Sequence, residues 1–105
     1  MEAIPRVILI CRDGHGREPL SDWLKSLDRA MRARIRVRID RLEEGNFGDV
    51  EPVGDGLSEL RLDFGPGFRI YFGQIGLEVH LLLGGTKATQ SQDIRLARRM
   101  WSEHE

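Results

Sequence analysis

The sequence predicts an α+β domain in which helices pack on a small antiparallel sheet. Apolar residues recur at three- and four-residue steps from Leu20 to Leu42, which is the pattern of helix with one buried face. Three alternating segments, at 57–64, 68–73 and 77–83, are joined by turns short enough to make a three-stranded antiparallel meander. With a strand before and a helix after, the predicted order is β-α-(α)-β-β-β-α.

The first strand is predicted at 4–11, IPRVILIC, which is rich in β-branched residues and bounded by Pro5 and by the glycines of RDGHG. Because the run is almost continuously apolar, we expect it to be buried on both faces. It contains Cys11, the chain's one cysteine, which is predicted to be a small buried hydrophobe. One thiol supplies neither a disulfide framework nor a zinc-binding set.

The helical segment is predicted to begin at Pro19, because proline suits the first helical turn. The pattern has a break near Leu27, after which Asp28 can cap a second helix, so we expect either a helical hairpin or one kinked helix. The stretch RIRVRI at 34–39 alternates like a strand, but its flanks favour helix and its isoleucines extend the apolar stripe. Helix is therefore predicted there, ending at Gly45.

The segment NFGDVEPVGDG at 46–56 is predicted to be a loop that leads into the three strands. After them, the stretch GGTKATQ breaks the sheet, and Thr89 or Ser91 can begin the C-terminal helix. The chain contains no repeat or linker, so residues 1–105 are predicted to form a single domain.

The hairpin at 59–72, ELRLDFGPGFRIYF, has its leucines and phenylalanines on one face and its charged residues on the other. With Gly65 to Gly67 as the loop, the second face is expected to pair Asp63 with Arg69, Arg61 with Tyr71, Arg69 with His80 and Tyr71 with Glu78. Two interpretations stay open. The face is either a solvated surface with cross-strand ion pairs, or a phosphate-binding surface on which guanidinium groups grip phosphate and tyrosine stacks on a base.

Lys87 lies in the glycine-rich turn before the last helix, whose first N–H groups attract anions, although an ordinary loop lysine is the alternative. The stretch GGTK lacks the spacing of a nucleotide-binding phosphate loop. His15 and His104 have no partners at metal-ligand spacing and are predicted to face solvent. Glu78 with His80 makes no zinc site, so neither a metal nor a cofactor is predicted.

The formal net charge is −1, so any nucleic-acid binding must come from a local basic patch. No signal peptide is recognisable, and no apolar run approaches the roughly 20 residues that span a bilayer. We therefore expect a cytoplasmic protein without a membrane partner.

Two stretches, GLSELRLDFGPGFRIYFG and HLLLGGTKATQSQDIRLARRMW, resemble the phage-derived addiction-module killer proteins, in the HigB-like branch of the RelE/ParE toxin superfamily. The likeness extends over residues 20–101, and its specificity comes from E-L-R, G-P-G-[FY]-R-[IV]-Y-F and G-G-x-K-x-x-Q-x-x-D-I in one order. The superfamily's fold, helices on a small antiparallel sheet, agrees with the predicted topology.

The resemblance implies the toxin of a type II toxin–antitoxin system. It implies a ribosome-dependent, metal-independent mRNA endoribonuclease that inhibits translation and forms a hetero-oligomer with a helix-turn-helix antitoxin. Two alternatives stay open, a DNA gyrase poison without catalysis, as in ParE-like relatives, and a non-toxic relic that only binds antitoxin.

By position in the resembling motifs, the residues implied to be catalytic are Arg61, Arg69, Tyr71 and Lys87, with His80 and Gln90 as candidates for RNA binding or proton transfer. Attack of a ribose 2′-hydroxyl on the adjacent phosphodiester requires positive charge at the phosphorane, which arginine supplies. It also requires a base and an acid, and the sequence does not rank the proton-transfer candidates.

Overall fold

The computed structural model describes residues 3–104, which form a five-stranded sheet with helices on both faces. In chain order the elements are β1 (Val7–Ile10), α1 (Pro19–Lys25), α2 (Arg29–Glu43), β2 (Val50–Gly54), β3 (Leu57–Arg61), β4 (Arg69–Ile75), β5 (Glu78–Gly85), a short 3-10 turn (Lys87–Thr89) and α3 (Gln90–Ser102). The sheet order is β1-β5-β4-β3-β2, with β1 parallel to β5 and the other neighbours antiparallel. The α+β class is confirmed.

The predicted helical region forms two helices rather than one kinked helix. Asp28 is the N-cap of α2, and its Oδ1 accepts a hydrogen bond of 2.8 Å from the backbone N–H of Met31. The ambiguous stretch at 34–39 lies within α2 and is helical. The chain then turns at Gly45, whose φ of +88° is natural for glycine after a helix.

The first strand is shorter and more exposed than predicted. β1 lies at the edge of the sheet, and Val7, Leu9 and Ile10 are 54%, 36% and 41% exposed. The prediction of a strand buried on both faces is therefore wrong, because a continuous apolar run does not distinguish an edge strand from a central one. The burial of Cys11 is confirmed, at 4% exposed.

The segment predicted to be a loop at 46–56 contains β2, so the antiparallel meander has four strands and the predicted count of three is wrong. Pro52, which lacks an N–H, reads as a loop residue in sequence. It is tolerated here because β2 is an edge strand, and the pairing with β3 is irregular between Pro52 and Gly54.

The hairpin register differs from the predicted one by two residues. The loop closes with a 2.9 Å hydrogen bond from the N–H of Leu62 to the carbonyl of Phe68, so it is longer than Gly-Pro-Gly. This even shift leaves the side chains of β3 and β4 on their predicted faces. The observed partners are Arg61 with Arg69, Glu59 with Tyr71, His80 with Gly73, and Gly85 with Arg69, and the four predicted pairs are not formed.

A bulge in β5 changes which face its side chains occupy. Leu81 pairs with Phe72 and Leu83 with Tyr71, so Leu82 is an extra residue. Leu82 and Leu83 consequently both pack on the same side of the sheet, whereas Leu81 packs on the other.

The sheet separates two apolar clusters. The larger lies under α1 and α2 and is formed by Leu20, Ile35, Leu42, Leu60, Leu62, Phe68, Ile70, Phe72, Val79 and Leu81. The smaller lies under α3 and is formed by Cys11, Leu57, Tyr71, Leu82, Leu83, Ala97 and Met100. Among residues 3–104, no helix is long and apolar enough to cross a membrane.

Strand glycines let the helices approach the sheet closely. An added Cβ at Gly84 would lie 2.3 Å from the ring of Trp23 in α1, and one at Gly85 would lie 1.9 Å from Oδ2 of Asp93 in α3. The absence of a Cβ at Gly84 and Gly85 therefore determines how closely α1 and α3 pack on the sheet.

Candidate functional site

The polar face of the hairpin is covered by α3 and is not a solvated surface. Glu59, Arg69, Tyr71 and His80 are 2%, 9%, 0% and 5% exposed. The solvated-face interpretation is therefore wrong for these four residues. The apolar stripe of α3 requires a surface to pack on, and this face of the sheet provides it.

Glu59 organises the buried polar groups. Its Oε1 accepts hydrogen bonds from Gln90 Nε2 at 2.7 Å and from the hydroxyl of Tyr71 at 3.3 Å. Arg69 Nε lies 3.2 Å from the same oxygen. We call these four residues, Glu59, Arg69, Tyr71 and Gln90, the Glu59 cluster. Sequence reasoning placed Glu59 on this face but did not propose it as a site residue, although it is the E of the E-L-R motif.

Arg69 is held by charge more than by directed hydrogen bonding. Its Nε forms an ion pair with Glu59, yet the N–H makes no hydrogen bond within the described residues 3–104. Nη1 of Arg69 lies 4.0 Å from the position that a Cβ on Gly67 would occupy, and Cβ of Lys87 lies 3.1 Å from that same position. Arg69 and Lys87 thus both lie beside Gly67 of the Gly-Pro-Gly turn.

Lys87 projects from an ordered turn and not from a loose loop. Thr86 and Thr89 cap the 3-10 turn reciprocally, with a 3.2 Å hydrogen bond from the N–H of Thr86 to Oγ1 of Thr89. Lys87 is exposed, whereas Arg69 beside it is buried. A ligand at this point would meet one fixed guanidinium and one mobile ammonium group.

Tyr71 is a hydrogen-bond donor in this setting and not a base. Burial raises the pKa of its phenol far above the usual value near 10, and the negative charges of Glu59 and Asp93 raise it further. The hydrogen bond to Glu59 acts in the same direction, because it stabilises the protonated hydroxyl.

Arg61 does not join the Glu59 cluster. Its Nη2 lies 3.3 Å from Oδ1 of Asp49 and 3.0 Å from Oε1 of Glu51. Asp63, predicted to face Arg69, instead lines with Arg61 a surface cavity of about 320 Å³ that also contains Arg38, Arg41 and Asp49. The structure thus separates the predicted arginines into two places.

His80 lies at the far end of β5 from the turn that carries Lys87. Its Nε2 is 3.1 Å from Oε1 of Glu78, and its Nδ1 is 2.9 Å from Nε2 of His104. The prediction that His104 faces solvent without partners is wrong, whereas His15 is exposed as predicted. Sequence spacing gave no sign of the pairing, because β5 and the end of α3 are brought together only by the fold.

Comparison with known proteins identifies the family of this chain. The sequence pattern described as "Phage derived protein Gp49-like" matches residues 22–102, which is most of the chain. The chain belongs to the Gp49-like family. Gp49-like proteins are a toxin–antitoxin-related family.

One relative is an uncharacterized protein of Haemophilus influenzae, 47% identical over 83 residues, which cover 77% of this chain and 84% of that protein. No solved structure matches this chain. The matched region contains both the Glu59 cluster and Lys87.

Proposed function

We propose that this Gp49-like protein is the toxin of a type II toxin–antitoxin module, and that it is a ribosome-dependent mRNA endoribonuclease of the HigB-like kind. The observation that carries the proposal is that Arg69 and Lys87 both lie beside Gly67. One buried carboxylate, Glu59, orients that arginine, and the proposed role of this place on the surface is to bind an anionic phosphate.

The proposed reaction is transesterification of RNA. The 2′-oxygen forms a bond to the adjacent phosphorus, the bond from phosphorus to the 5′-oxygen breaks, and a cyclic phosphate remains on the upstream fragment. The 2′-hydroxyl loses its proton to a base, and the leaving 5′-oxygen receives one from an acid. Negative charge accumulates on the phosphorane oxygens between these steps.

Arg69 is proposed to stabilise that charge, because its position is fixed before substrate arrives. The side-chain amine of Lys87 is proposed to bind the phosphate and to supply the proton to the leaving oxygen. Gln90 and Tyr71 are proposed to position Glu59, and through it Arg69. His80 is left without a role in this step, because it lies at the other end of β5.

The base is proposed to come from the ribosome or from the RNA itself. Within residues 3–104, the groups that contact Arg69 and Glu59 include no exposed base, since Tyr71 is buried and its pKa is raised. A requirement for the ribosome follows naturally from an incomplete set of proton-transfer groups.

Arg61 is proposed to bind RNA backbone rather than the reacting phosphate. It shares its cavity with Arg38 and Arg41 of α2, and Arg34 follows the same side of that helix. Neighbouring carboxylates, Asp49 and Glu51, partly neutralise it, so this contact is expected to be weaker than that of Arg69.

The proposed partner is a helix-turn-helix antitoxin, bound in a cytoplasmic hetero-oligomer. The row of exposed arginines on α2, Arg29, Arg32 and Arg36, offers a surface for an acidic segment of such a protein.

A gyrase poison without catalysis is the second candidate. The same observation favours it, because an arginine–lysine pair without a neighbouring base is sufficient for binding but incomplete for chemistry. The two candidates differ in what is broken in the cell, RNA or DNA.

The test is induced expression without antitoxin, followed by growth measurement and mapping of RNA 5′ ends. New ends in phase with codons are expected for the wild-type protein. Lys87→Ala should reduce cleavage at least about 10-fold, because one charge that stabilises the transition state is lost. Arg95→Ala is the matched control, since it removes another exposed cation, in the middle of α3, and should cleave like the wild type.

Intact mRNA with new DNA breaks would contradict the endoribonuclease and support the gyrase poison. Unimpaired growth with a folded protein would support a non-toxic relic that only binds antitoxin. Full cleavage by Lys87→Ala would remove Lys87 from the site.

A further inference from the structure

Three side chains of metal-ligand type converge at the end of the molecule remote from Lys87. Cys11 follows β1, His80 lies in β5 and His104 follows α3. One ligand atom from each, the cysteine sulfur and two imidazole nitrogens, lie within 4.8 Å of one another. Thiolate and imidazole are the ligands that zinc prefers in proteins.

The spacing of the two imidazoles suits a shared cation. His80 Nδ1 and His104 Nε2 are 2.9 Å apart, with a single proton between them if both rings are neutral. Two imidazole nitrogens bound to one tetrahedral zinc, with bonds of about 2.0–2.1 Å, lie roughly 3.3 Å apart. A shift of a few tenths of an ångström therefore converts the hydrogen bond into a pair of ligands.

The carboxylate of Glu78 orients the ring of His80 from the side opposite to His104. Glu78 Oε1 lies 3.1 Å from Nε2 of His80, the nitrogen that points away from His104. A proton on Nε2 donates to this carboxylate and leaves the lone pair of Nδ1 directed at the other two ligands. This arrangement, carboxylate to histidine to metal, is the usual way in which a protein orients a metal-bound imidazole. It is independent of the convergence of the ligands themselves.

The rings are held in place by Trp101. Its indole stacks on His104, with centroids 5.2 Å apart and planes 15° apart, and it meets His80 edge-on at 5.6 Å. Gly73 makes room for it, because an added Cβ there would lie 2.5 Å from the indole. Both imidazoles are thus positioned by packing before any ion binds.

A cavity with room for water lies beside His104. Its volume is about 130 Å³, and it is lined by Arg12, Asp13, Gly14, Met100, Glu103 and His104.

We propose that Cys11, His80 and His104 bind one zinc ion tetrahedrally, with water from this cavity as the fourth ligand. The ion joins the end of α3 to β1 and β5, so it stabilises the helix that covers the Glu59 cluster. His80 and Gly85 are five residues apart in β5, about 16 Å, so the ion takes no part in chemistry at Arg69 and Lys87. The site stands whether or not the proposed function holds.

The test uses the full-length protein, reduced and freed of metal by a chelator. Titration with Co²⁺ should give the charge-transfer absorption of a cobalt–thiolate bond and the intense visible bands of tetrahedral cobalt, at one ion per chain. Zn²⁺ should displace the colour and raise the midpoint of thermal unfolding by at least about 4 °C. Mg²⁺, which prefers oxygen ligands, should do neither.

Variants separate this site from incidental metal binding. Cys11→Ala should lose the charge-transfer band, and His104→Ala should bind Co²⁺ at least about 10-fold more weakly. Glu78→Gln should keep the spectrum but weaken binding about 10-fold. His15→Ala is the matched control, because it removes an exposed histidine of the same chain and should bind like the wild type.

The proposal is overturned if wild-type protein gives no tetrahedral cobalt spectrum, or if His104→Ala binds as tightly as His15→Ala. If circular dichroism shows that Cys11→Ala does not fold, His104→Ala decides alone, since its half-buried side chain lies beyond the end of α3.

Discussion

Arg69 and Glu59 form an ion pair with side chains that are only 11% and 3% exposed. Removing charges from water is unfavourable, and the pair recovers this only while both partners are present. Its value to the protein is therefore a fixed orientation of the guanidinium, held further by the hydrogen bonds of Tyr71 and Gln90 to the same carboxylate.

Arg69→Ala is expected to lower the free energy of unfolding by about 3 kcal/mol, because Glu59 is left as a buried charge without a cation. The double variant Glu59→Gln/Arg69→Gln should lose less, since it leaves no buried charge. Urea denaturation measures both. Equal losses in the two variants would contradict the ion-pair account. The double variant is also the better one for toxicity assays, because it is expected to retain more of the folded protein than Arg69→Ala.

Tyr71 predicts an alkaline limit to stability. Its pKa is raised in the folded state, mainly by burial, whereas an unfolded tyrosine titrates near 10. The contribution of the phenol to stability is thus complete below about pH 10 and is lost as pH rises above that value. Tyr71 is the chain's one tyrosine, so tyrosinate absorbance during a pH titration reports this group alone.

Comparison with Tyr71→Phe isolates the effect. Cys11, whose pKa burial also raises, titrates in both proteins and cancels. The wild type should lose stability above about pH 10 more steeply than Tyr71→Phe. Tyrosinate formation near pH 10 in protein that is still folded would contradict it.

At the scale of elements, local patterns predicted the helices well and the strands less well. Asp28 and the apolar stripe act within a few residues, so the start of α2 was predictable from sequence. β2 was not, because its Pro52 reads as a loop and its partner strand is supplied by the fold.

The candidate site was likewise predictable only in part. The family resemblance implied Arg69 and Lys87 as site residues, and the fold places both beside Gly67 of the hairpin turn. The role of Glu59 was not predictable from residue types, because its burial depends on α3, which is distant in sequence. Arg61 was predicted with the others, but it forms ion pairs with Asp49, just before β2, and with Glu51 in β2, and therefore lies outside the Glu59 cluster.

Gly85→Ala is expected to disturb the packing of α3 on β5. The added methyl would lie 1.9 Å from Oδ2 of Asp93, which accepts a 2.6 Å hydrogen bond from Thr89. Rotating Asp93 away breaks that bond, so we expect a loss of about 1–3 kcal/mol in the free energy of unfolding.

Gly14→Ala is the matched control for this substitution. The nearest atom to its added Cβ, on Glu103, is 3.9 Å away, so its stability should remain within about 0.5 kcal/mol of the wild type. Urea denaturation compares the two variants, and equal stability would argue against close packing of α3 on β5.

At the scale of the whole molecule, the sheet carries helices on both faces and ends in two exposed edges. β5 is buried along most of its length, whereas β1 and β2 have mixed or exposed positions. Such an arrangement places the most persistent hydrogen bonds in the middle of the sheet.

Amide hydrogen exchange should follow that gradient. The amides of β4 and the centre of β5 are expected to exchange slowest, and those of the edge strands β1 and β2 fastest among the strands, because an edge strand opens without separating the central pairs. Exchange resolved by residue, measured by nuclear magnetic resonance, tests it. Equal protection of β2 and β4 would show that the sheet opens only as one unit.

Leu82 is one residue more than the regular alternation of β5 requires, so it changes the phase of every side chain after it. Before it, His80 faces α3 and Leu81 faces α1 and α2; after it the alternation is inverted, so that Gly84 meets α1 and Gly85 meets α3. Loss of Leu82 alone would remove the bulge and leave Gly84 and Gly85 on their present faces, because regular alternation from Leu81 reaches them in the same phase. Loss of a second residue would invert that phase and point Gly85, and the turn that carries Lys87, toward the wrong layer. The length of this strand, and not only its composition, thus encodes where the cations meet.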